Sequence, residues 1–242
     1  MNQPAAPPGP QPSASVWEDF VDILYTPAVV FARRESGKAW IPLLVVTLAL
    51  GSLFLVNSRL LEPMFDAEFD RSMAAAVRDN PQMTPEVMAQ ARRMGRVFAT
   101  VGAFVFVPII VCLIGFALWL FGKVAEARIT FGTAVLVAAY AYVPRVIEAL
   151  LSGVQGLILD PATLDGRYRL TLGLGRFLDP DTTAPMLLAI AGRVDVFTIW
   201  VTVLLAVGLS VTGKVSRQSA AVVATFVWVA GALPALFQAM RS

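Results

Sequence analysis

The sequence has no histidine, a single cysteine at Cys112, and few charged residues. Without histidine there is no Ser-His or Cys-His catalytic pair and no histidine ligand for a metal or haem, and one cysteine cannot form a disulfide within the chain. Charged residues make up 15% of the 242 residues, whereas soluble domains have about a quarter. The net charge is only +2, too small to favour a nucleic-acid partner. The sequence therefore predicts a protein that is not an enzyme, has no cofactor and does not bind nucleic acid.

What the sequence has instead is a large apolar fraction, 57%, gathered in long runs without charge. Because a helix rises about 1.5 Å per residue, about 20 apolar residues span the hydrocarbon core of a bilayer. Five runs have or approach that length, and the predicted spans are about 39–58, 97–122, 129–151, 196–213 and 218–240. The fold class predicted is all-α: a polytopic membrane protein whose five-helix bundle occupies 39–241, with an N-terminal amphipathic helix ahead of it.

The third run leaves two alternatives open. Residues 129–144 carry no charge but are short for a span. The helix can continue past Arg145 with a kink at Pro144, or it can end at Pro144 and be followed by a helix at the membrane interface. The connections 123–128 and 214–217 are so short that the helices they join are expected to be antiparallel neighbours.

The residues ahead of the first span divide into two parts. Several prolines within 1–14 predict a flexible Pro-rich leader. Over 15–38 we expect amphipathic juxtamembrane helices, the first of which begins at Ser15 with Glu18 at capping-box spacing.

This first helix has a polar side and an apolar side on the helical wheel. Its polar side carries Glu18, Asp19 and Asp22. The candidate partner-docking residues, on the apolar side, are Trp17, Phe20, Val21 and Leu24. Helices that lie on membrane surfaces usually carry Lys and Arg, so docking against protein is the better interpretation of an acidic helix.

The orientation of the chain is argued from its loops. With the N-terminus in the cytoplasm, the inner face holds 7 Lys and Arg and the outer face 11, which runs against the positive-inside rule. The inner connections are nevertheless short and basic, and the first 38 residues contain no secretory hydrophobic segment. We therefore expect a multi-pass protein of the cytoplasmic membrane with its N-terminus inside and, because five spans are an odd number, its C-terminus outside.

One polar constellation lies within the membrane domain. Its members recur every three or four residues and so share one face of a helix: Tyr142, Arg145, Glu148, Ser152 and Gln155. An arginine at the bilayer centre is unfavourable by about 3 kcal/mol, and Glu148, one turn on, can partly neutralise it. This face can line a polar cavity or pathway. Alternatively it locks the helix to a neighbour, with Asp195 or freed backbone carbonyls as further partners, or it is the water-facing side of an interfacial helix.

The loop 160–195 is rich in turn signals such as Asp160-Pro161 and Asp179-Pro180. Alternating apolar and polar residues over 167–174 permit a short strand or hairpin. The aspartates of this loop need only turn and capping roles, which makes an intramembrane enzyme the weakest of the functional hypotheses.

Three stretches follow one another along the chain: Asp-Ile-Leu-Tyr-Thr-Pro at 22–27, Ala-Tyr-Ala-Tyr-Val-Pro at 139–144, and Arg-Val-Asp-Val-Phe-Thr-Ile-Trp at 193–200. In this order they resemble the Yip family, the Ypt/Rab-interacting-protein family of five-span membrane proteins, and the last resembles a pattern of its bacterial branch. The resemblance covers roughly residues 16–240 and implies a protein of the cytoplasmic membrane without an established activity. Thr26 and Ala139 stand where eukaryotic members have glycine, so the role of those members in vesicle traffic is not carried over.

Two functions follow from these patterns. The leading hypothesis is a non-enzymatic adaptor, organiser or accessory subunit that contacts the lipid bilayer and other membrane proteins, as a homo- or hetero-oligomer. The alternative is a transporter, channel or lipid-handling protein that uses the polar face of the third helix. Helices broken near a common site would favour the alternative, and Pro108, Pro144 and Pro234 are the candidate breaks.

Overall fold

The computed structural model describes residues 15–79, 84–164 and 166–240. The predicted Pro-rich leader, 1–14, lies outside the described residues. The helices, in chain order, are α1 Val16–Tyr25, α2 Pro27–Arg33, α3 Trp40–Leu60, α4 Glu62–Asp79, α5 Pro85–Val124, α6 Phe131–Ala141, α7 Pro144–Ile158, α8 Pro185–Ala191, α9 Val196–Gly213, α10 Arg217–Ala230 and α11 Leu233–Ala239.

Five helical segments are long and apolar enough to cross a membrane, which confirms the predicted number of spans. They are Trp40–Leu60, Glu86–Val124, Phe131–Ile158, Val196–Gly213 and Arg217–Ala239. The second helix begins well ahead of its predicted apolar run, because the Thr84 hydroxyl accepts from the Val87 N–H and no breaker follows before the membrane. Pro108 lies inside α5 and does not end it. The chain is an all-α polytopic membrane protein.

The core of the bundle is α6, which contacts α3, α5 and α9. Every residue from Ala134 to Ala141 is buried. Two glycines on neighbouring helices allow this close approach, as small residues do in membrane bundles. A Cβ on Gly115 of α5 would lie 2.8 Å from the Val135 Cα, and one on Gly208 of α9 would clash with the Val137 side chain.

The third span is kinked and continues past the kink. The helix is interrupted only at Tyr142 and Val143 before α7 begins at Pro144. The Asn57 side chain donates to the Ala149 carbonyl at 2.8 Å, and a Cβ on Gly156 would lie 3.2 Å from the Leu60 carbonyl oxygen. Since α7 thus follows α3 to its C-terminal end, Phe131–Ile158 is one kinked helical segment that is long and apolar enough to cross a membrane.

The segment 159–195 folds into short turns instead of the strand or hairpin that its alternation permits. Pro161–Thr163, Arg167–Leu170 and Leu174–Phe177 are single 3₁₀ turns, followed by α8. Among the described residues of this segment the sheet pairing is limited to an isolated bridge between Gly173 and Asp195. Alternation over a few residues supplies one face for a strand but no partner strand, so the turn residues decide the local structure.

Ion pairs join α4 to the part of α5 that precedes the apolar run. Arg92 lies 3.1 Å from Asp66 and 2.5 Å from Asp70, and Arg96 lies 3.1 Å from Glu62. These pairs are part-exposed, so they orient α4 and contribute little to stability.

Candidate functional site

The first helix begins as its sequence predicts. The Ser15 N–H donates to the Glu18 carboxylate at 3.1 Å, and the Glu18 N–H donates to the Ser15 hydroxyl at 3.3 Å. This capping box satisfies backbone donors that would otherwise lack partners at the start of α1. The helix packs against α2 and α6, so it docks on the bundle.

The side chain that fixes α1 is Asp19, which is fully buried. Arg33 approaches it at 3.1 Å and Arg34 at 2.5 Å, and the Tyr140 hydroxyl donates to it at 3.2 Å. The sequence interpretation put Asp19 with the polar residues on the side away from the docking face, and that was wrong. Its cationic partners come from the end of α2 and its hydroxyl partner from α6, and a single-helix wheel contains neither.

A second acid of α1 completes this cluster. Asp22 lies 2.7 Å from Arg33. The hydrogen bond to Asp22, together with the charges of Asp19 and Asp22, raises the pKa of the Arg33 guanidinium against the opposing effect of its partial burial. Arg33 therefore remains charged at any physiological pH, and the cluster is a permanent contact between α1 and α2.

The candidate docking residues of α1 do not all face the bundle. Phe20 and Leu24 are partly buried against the core, with the Phe20 ring centroid 5.5 Å from that of Tyr140. Trp17 and Val21 are 70% and 59% exposed. Burial of Asp19 and Ile23 orients the helix so that Phe20 and Leu24 face the bundle and Trp17 and Val21 face away from it. The residues left outward form a stripe that we call the outer ridge: Trp17, Val21, Tyr25 and Val29.

The polar face predicted on the third span is built around Arg145. Its guanidinium donates to Glu148 at 2.5 Å and to the Thr198 hydroxyl at 2.7 Å, and it lies 4.0 Å from Asp195. Asp195 in turn accepts from the Phe197 and Thr198 N–H groups at the start of α9, and from the Thr198 hydroxyl. The structure thus brings Arg145 together with Glu148 and Asp195.

The other predicted members of this face have separate contacts. The Ser152 hydroxyl donates to the Glu148 carbonyl at 2.9 Å, within its own helix. The Gln155 side chain donates to the Leu170 carbonyl at 3.1 Å, which ties α7 to the turn 167–170. Tyr142 occupies the interruption between α6 and α7 and lines the cavities described below.

Arg193 also belongs to the site, although from the sequence it was only a residue of the loop 160–195. Its guanidinium donates to the Trp228 carbonyl at 2.9 Å, and the Trp228 indole N–H donates back to the Arg193 carbonyl at 3.3 Å. Burial lowers the pKa of Arg193, and the charge of Arg145 adds to that effect. The signal in the sequence was its position two residues before Asp195, which caps the fourth span.

Two cavities meet at this polar group. The larger, of about 630 Å³, lies between α3, α5, α7, the turn 167–171 and α8. The second, of about 430 Å³, is an apolar groove between α5, α9 and the α10–α11 segment. Both are lined by Tyr142, Arg145 and Arg193. Within the described ranges no three acidic or sulfur side chains come together as a metal site would require.

Comparison with known families gives one match. The family model described as the Yip1 domain matches residues 21–237, which include α2 to α10, the second half of α1, most of α11, and the whole polar group. A comparison with curated proteins and a comparison with solved structures gave no match. The five spans, the motifs that lead into the first, third and fourth of them, and the match over most of the chain agree: this protein belongs to the Yip1 domain family.

Proposed function

We propose that this Yip1-family membrane protein is a non-enzymatic adaptor, organiser or accessory subunit for other membrane components. The observation that carries the proposal is the outer ridge. Its four side chains lie four residues apart on α1 and α2 and are more than half exposed, although the helices themselves are held tightly. Trp17, Val21 and Tyr25 form one stripe on α1, the usual way in which one helix packs against another, and Val29 adds an exposed side chain on α2 after the break at Thr26.

A fixed support makes the outer ridge suitable for binding. The cluster around Asp19 holds α1 to α2 and α6, and Ile23 and Phe31 are fully buried beneath it. A ridge that is already ordered loses little conformational entropy when a partner binds.

The charge of α1 favours a protein partner over the surface of an anionic bilayer. The helix carries three acidic residues and no basic one, whereas helices that bind membrane surfaces carry Lys and Arg. The proposed occupant is therefore an apolar helix of another membrane protein.

Site-specific photo-crosslinking in intact membranes tests this proposal. Benzoylphenylalanine at Tyr25 should give one discrete protein adduct, which Val21→Glu should abolish without loss of folded protein. The matched control is Val203, which is 53% exposed on α9 and faces the lipid region of the bundle. Lipid adducts alone at Tyr25, as expected at Val203, would show that the ridge contacts the bilayer and would refute the adaptor role.

The location proposed is the cytoplasmic membrane, with the N-terminus inside. The expected topology has the N-terminal helices and the 214–217 connection on the same side of the membrane. A contact of 2.8 Å between Lys214 and Glu35 supports that part of the topology. In a Cys112→Ala background, a cysteine at Ser72 should react with an impermeant maleimide on intact cells and one at Ser216 should not. The reverse pattern would invert the proposed orientation.

A second candidate function, transport or lipid handling, is favoured by one specific observation. The third and the fifth spans are both interrupted, at Tyr142–Val143 and at Gly231–Ala232, and Tyr142 and Gly231 line the same apolar groove. Interrupted spans that meet at one site are characteristic of transporters. Liposomes that contain the wild-type protein should then move a lipid or solute that the Arg145→Leu/Glu148→Leu protein does not.

A further inference from the structure

The polar group at the third span contains one arginine, Arg193, that forms no ion pair with a carboxylate among the described residues, since Asp195 acts on it only at longer range. Glu148 lies 2.5 Å from Arg145, whereas Arg193 has no acidic partner within 4.0 Å among the described residues. Its contacts there are the Trp228 carbonyl and the face of the Trp228 ring, whose centroid is 5.8 Å away. The carbonyl has no net charge and Asp195 lies beyond 4.0 Å, so the charge of Arg193 is only partly balanced by the described residues around it.

The two guanidinium groups also retain unused hydrogen-bond donors. The Nε atoms of Arg145 and Arg193 are buried and have no hydrogen-bond partner. Buried donors of this kind are uncommon in folded proteins, because each lost interaction with water is unfavourable. The same two residues line the larger cavity and the apolar groove, so an acceptor in the larger cavity can contact their side chains, and it reaches the buried Nε atoms when the guanidinium groups turn.

The shapes of the two cavities complement this chemistry. Both volumes, about 630 and 430 Å³, fall in the range of small-molecule sites, roughly 300–1,000 Å³. Arg167 and Tyr168 add polar side chains to the wall of the larger one. The groove is lined mainly by aliphatic side chains, and two of these, Ile110 and Leu113, are 42% and 60% exposed on the side of α5 that faces the bilayer.

We propose that these cavities bind one anionic phospholipid, with its phosphate against Arg193 in the larger cavity and an acyl chain in the apolar groove. The groove is what distinguishes a lipid from a free phosphate ester. A free anion uses the larger cavity alone and leaves apolar walls unoccupied, whereas an acyl chain enters between α5 and α10 directly from the bilayer. The inference deepens the second candidate function and concerns binding, so it stands even where no lipid is transferred.

Native mass spectrometry of the full chain, with phosphatidylglycerol or phosphatidylcholine added in detergent, tests the head-group contact. Both lipids carry the same phosphodiester, and they differ in the choline cation of phosphatidylcholine. The wild type should retain phosphatidylglycerol about tenfold better, because Arg145 and Arg193 repel that cation. Arg193→Gln should remove that preference and Arg193→Lys should keep most of it. The matched control is Arg93→Gln, because Arg93 is exposed on α5 near the same membrane face and lines neither cavity.

The contact between the acyl chain of the lipid and the apolar groove is tested separately. Ala230→Trp fills the groove and should lower retention of phosphatidylglycerol about as much as Arg193→Gln, while glycerol phosphate should not compete with the lipid. A thermal unfolding curve in detergent confirms that each variant is folded before retention is compared.

Three results would overturn the inference. Equal retention of the two lipids by the wild type would show that the cavities do not select an anionic head group. Equal losses of phosphatidylglycerol in Arg193→Gln and Arg93→Gln would show that the preference comes from general surface charge. Competition by glycerol phosphate would make the ligand a free phosphate ester. Lipid binding without transfer in liposomes refutes only the second candidate function, so failure of the two proposals can be told apart.

Discussion

Two buried charge clusters lie at different depths of the bundle, and they are built differently. In the first, one carboxylate, Asp19, is fully enclosed by two arginines and a tyrosine hydroxyl. In the second, two arginines share the region with Glu148 and Asp195. Buried Nε atoms without a hydrogen-bond partner occur in both clusters, at Arg33 in the first and at Arg145 and Arg193 in the second. The first cluster lines neither of the cavities described above, and the second lines both.

The position of the two cavities therefore separates the roles of the clusters. The Asp19 cluster lines neither cavity and joins α1 to α2 and α6. The guanidinium groups of Arg145 and Arg193 line both cavities, where a ligand can contact them. The first cluster is thus a structural contact that supports the outer ridge, and the second is the better candidate for binding.

The largest expected effect comes from removing the enclosed carboxylate. Asp19→Ala leaves Arg33 and Arg34 without their buried partner and should cost about 3–5 kcal/mol of stability. We expect α1 to detach and trypsin to cleave at Arg33 or Arg34 much faster than in the wild type. Thermal unfolding in detergent and limited proteolysis measure the two effects.

Asp22→Ala is the matched control for this experiment. Asp22 also pairs with Arg33, but its side chain is 41% exposed, so its removal should cost about 0–1 kcal/mol. Equal destabilisation by the two variants would contradict the view that enclosure of Asp19, and not its charge alone, holds α1 in place.

The sequence predicted the spans well and the buried acid poorly, for a physical reason. Runs without charge report directly on burial in lipid, which is a property of each segment by itself. The environment of Asp19 depends on Arg34, 15 residues further on, and on Tyr140 in another helix. A helical wheel contains no information about either contact.

The same is true of the polar group around Arg145, where the sequence predicted contacts within one helix but not contacts between distant segments. The spacing of Arg145 and Glu148 within one helix predicted their contact, and Pro144 predicted the interruption next to them. Arg193 was missed because its position depends on how the turns of 159–195 fold back onto α10. The break at Gly231 precedes Pro234 by three residues, whereas α5 continues through Pro108 without a break.

The ion pair between Arg145 and Glu148 is expected to contribute less to stability than the contacts of Asp19. Arg145→Leu or Glu148→Leu alone leaves a charge without its partner and should cost about 2 kcal/mol, less than the loss of the fully enclosed Asp19 because both side chains are partly exposed. The double leucine variant should recover most of that loss. The yield of folded protein in mild detergent measures all three.

Undiminished yields of both single variants would contradict the pairing. They would indicate that this face is in contact with water, and that Arg145 does not need Glu148. Low yield of the double variant would indicate instead that Arg145 contributes through Thr198 or Asp195 as well.

The smallest expected effects separate the two sides of α1. Phe20→Ala removes a ring packed against Tyr140 and should cost about 1–2 kcal/mol, whereas Trp17→Ala, at a position 70% exposed, should stay within about 0.5 kcal/mol. Thermal unfolding of the purified protein in detergent measures both. For the crosslink at Tyr25 in the membrane, the order of the two effects should reverse. Trp17→Ala should weaken the crosslink, whereas Phe20→Ala should leave it unchanged as long as α1 remains docked. If Trp17→Ala destabilises the isolated protein as much as Phe20→Ala does, then Trp17 packs against the bundle, and the outer ridge is not free to bind a partner.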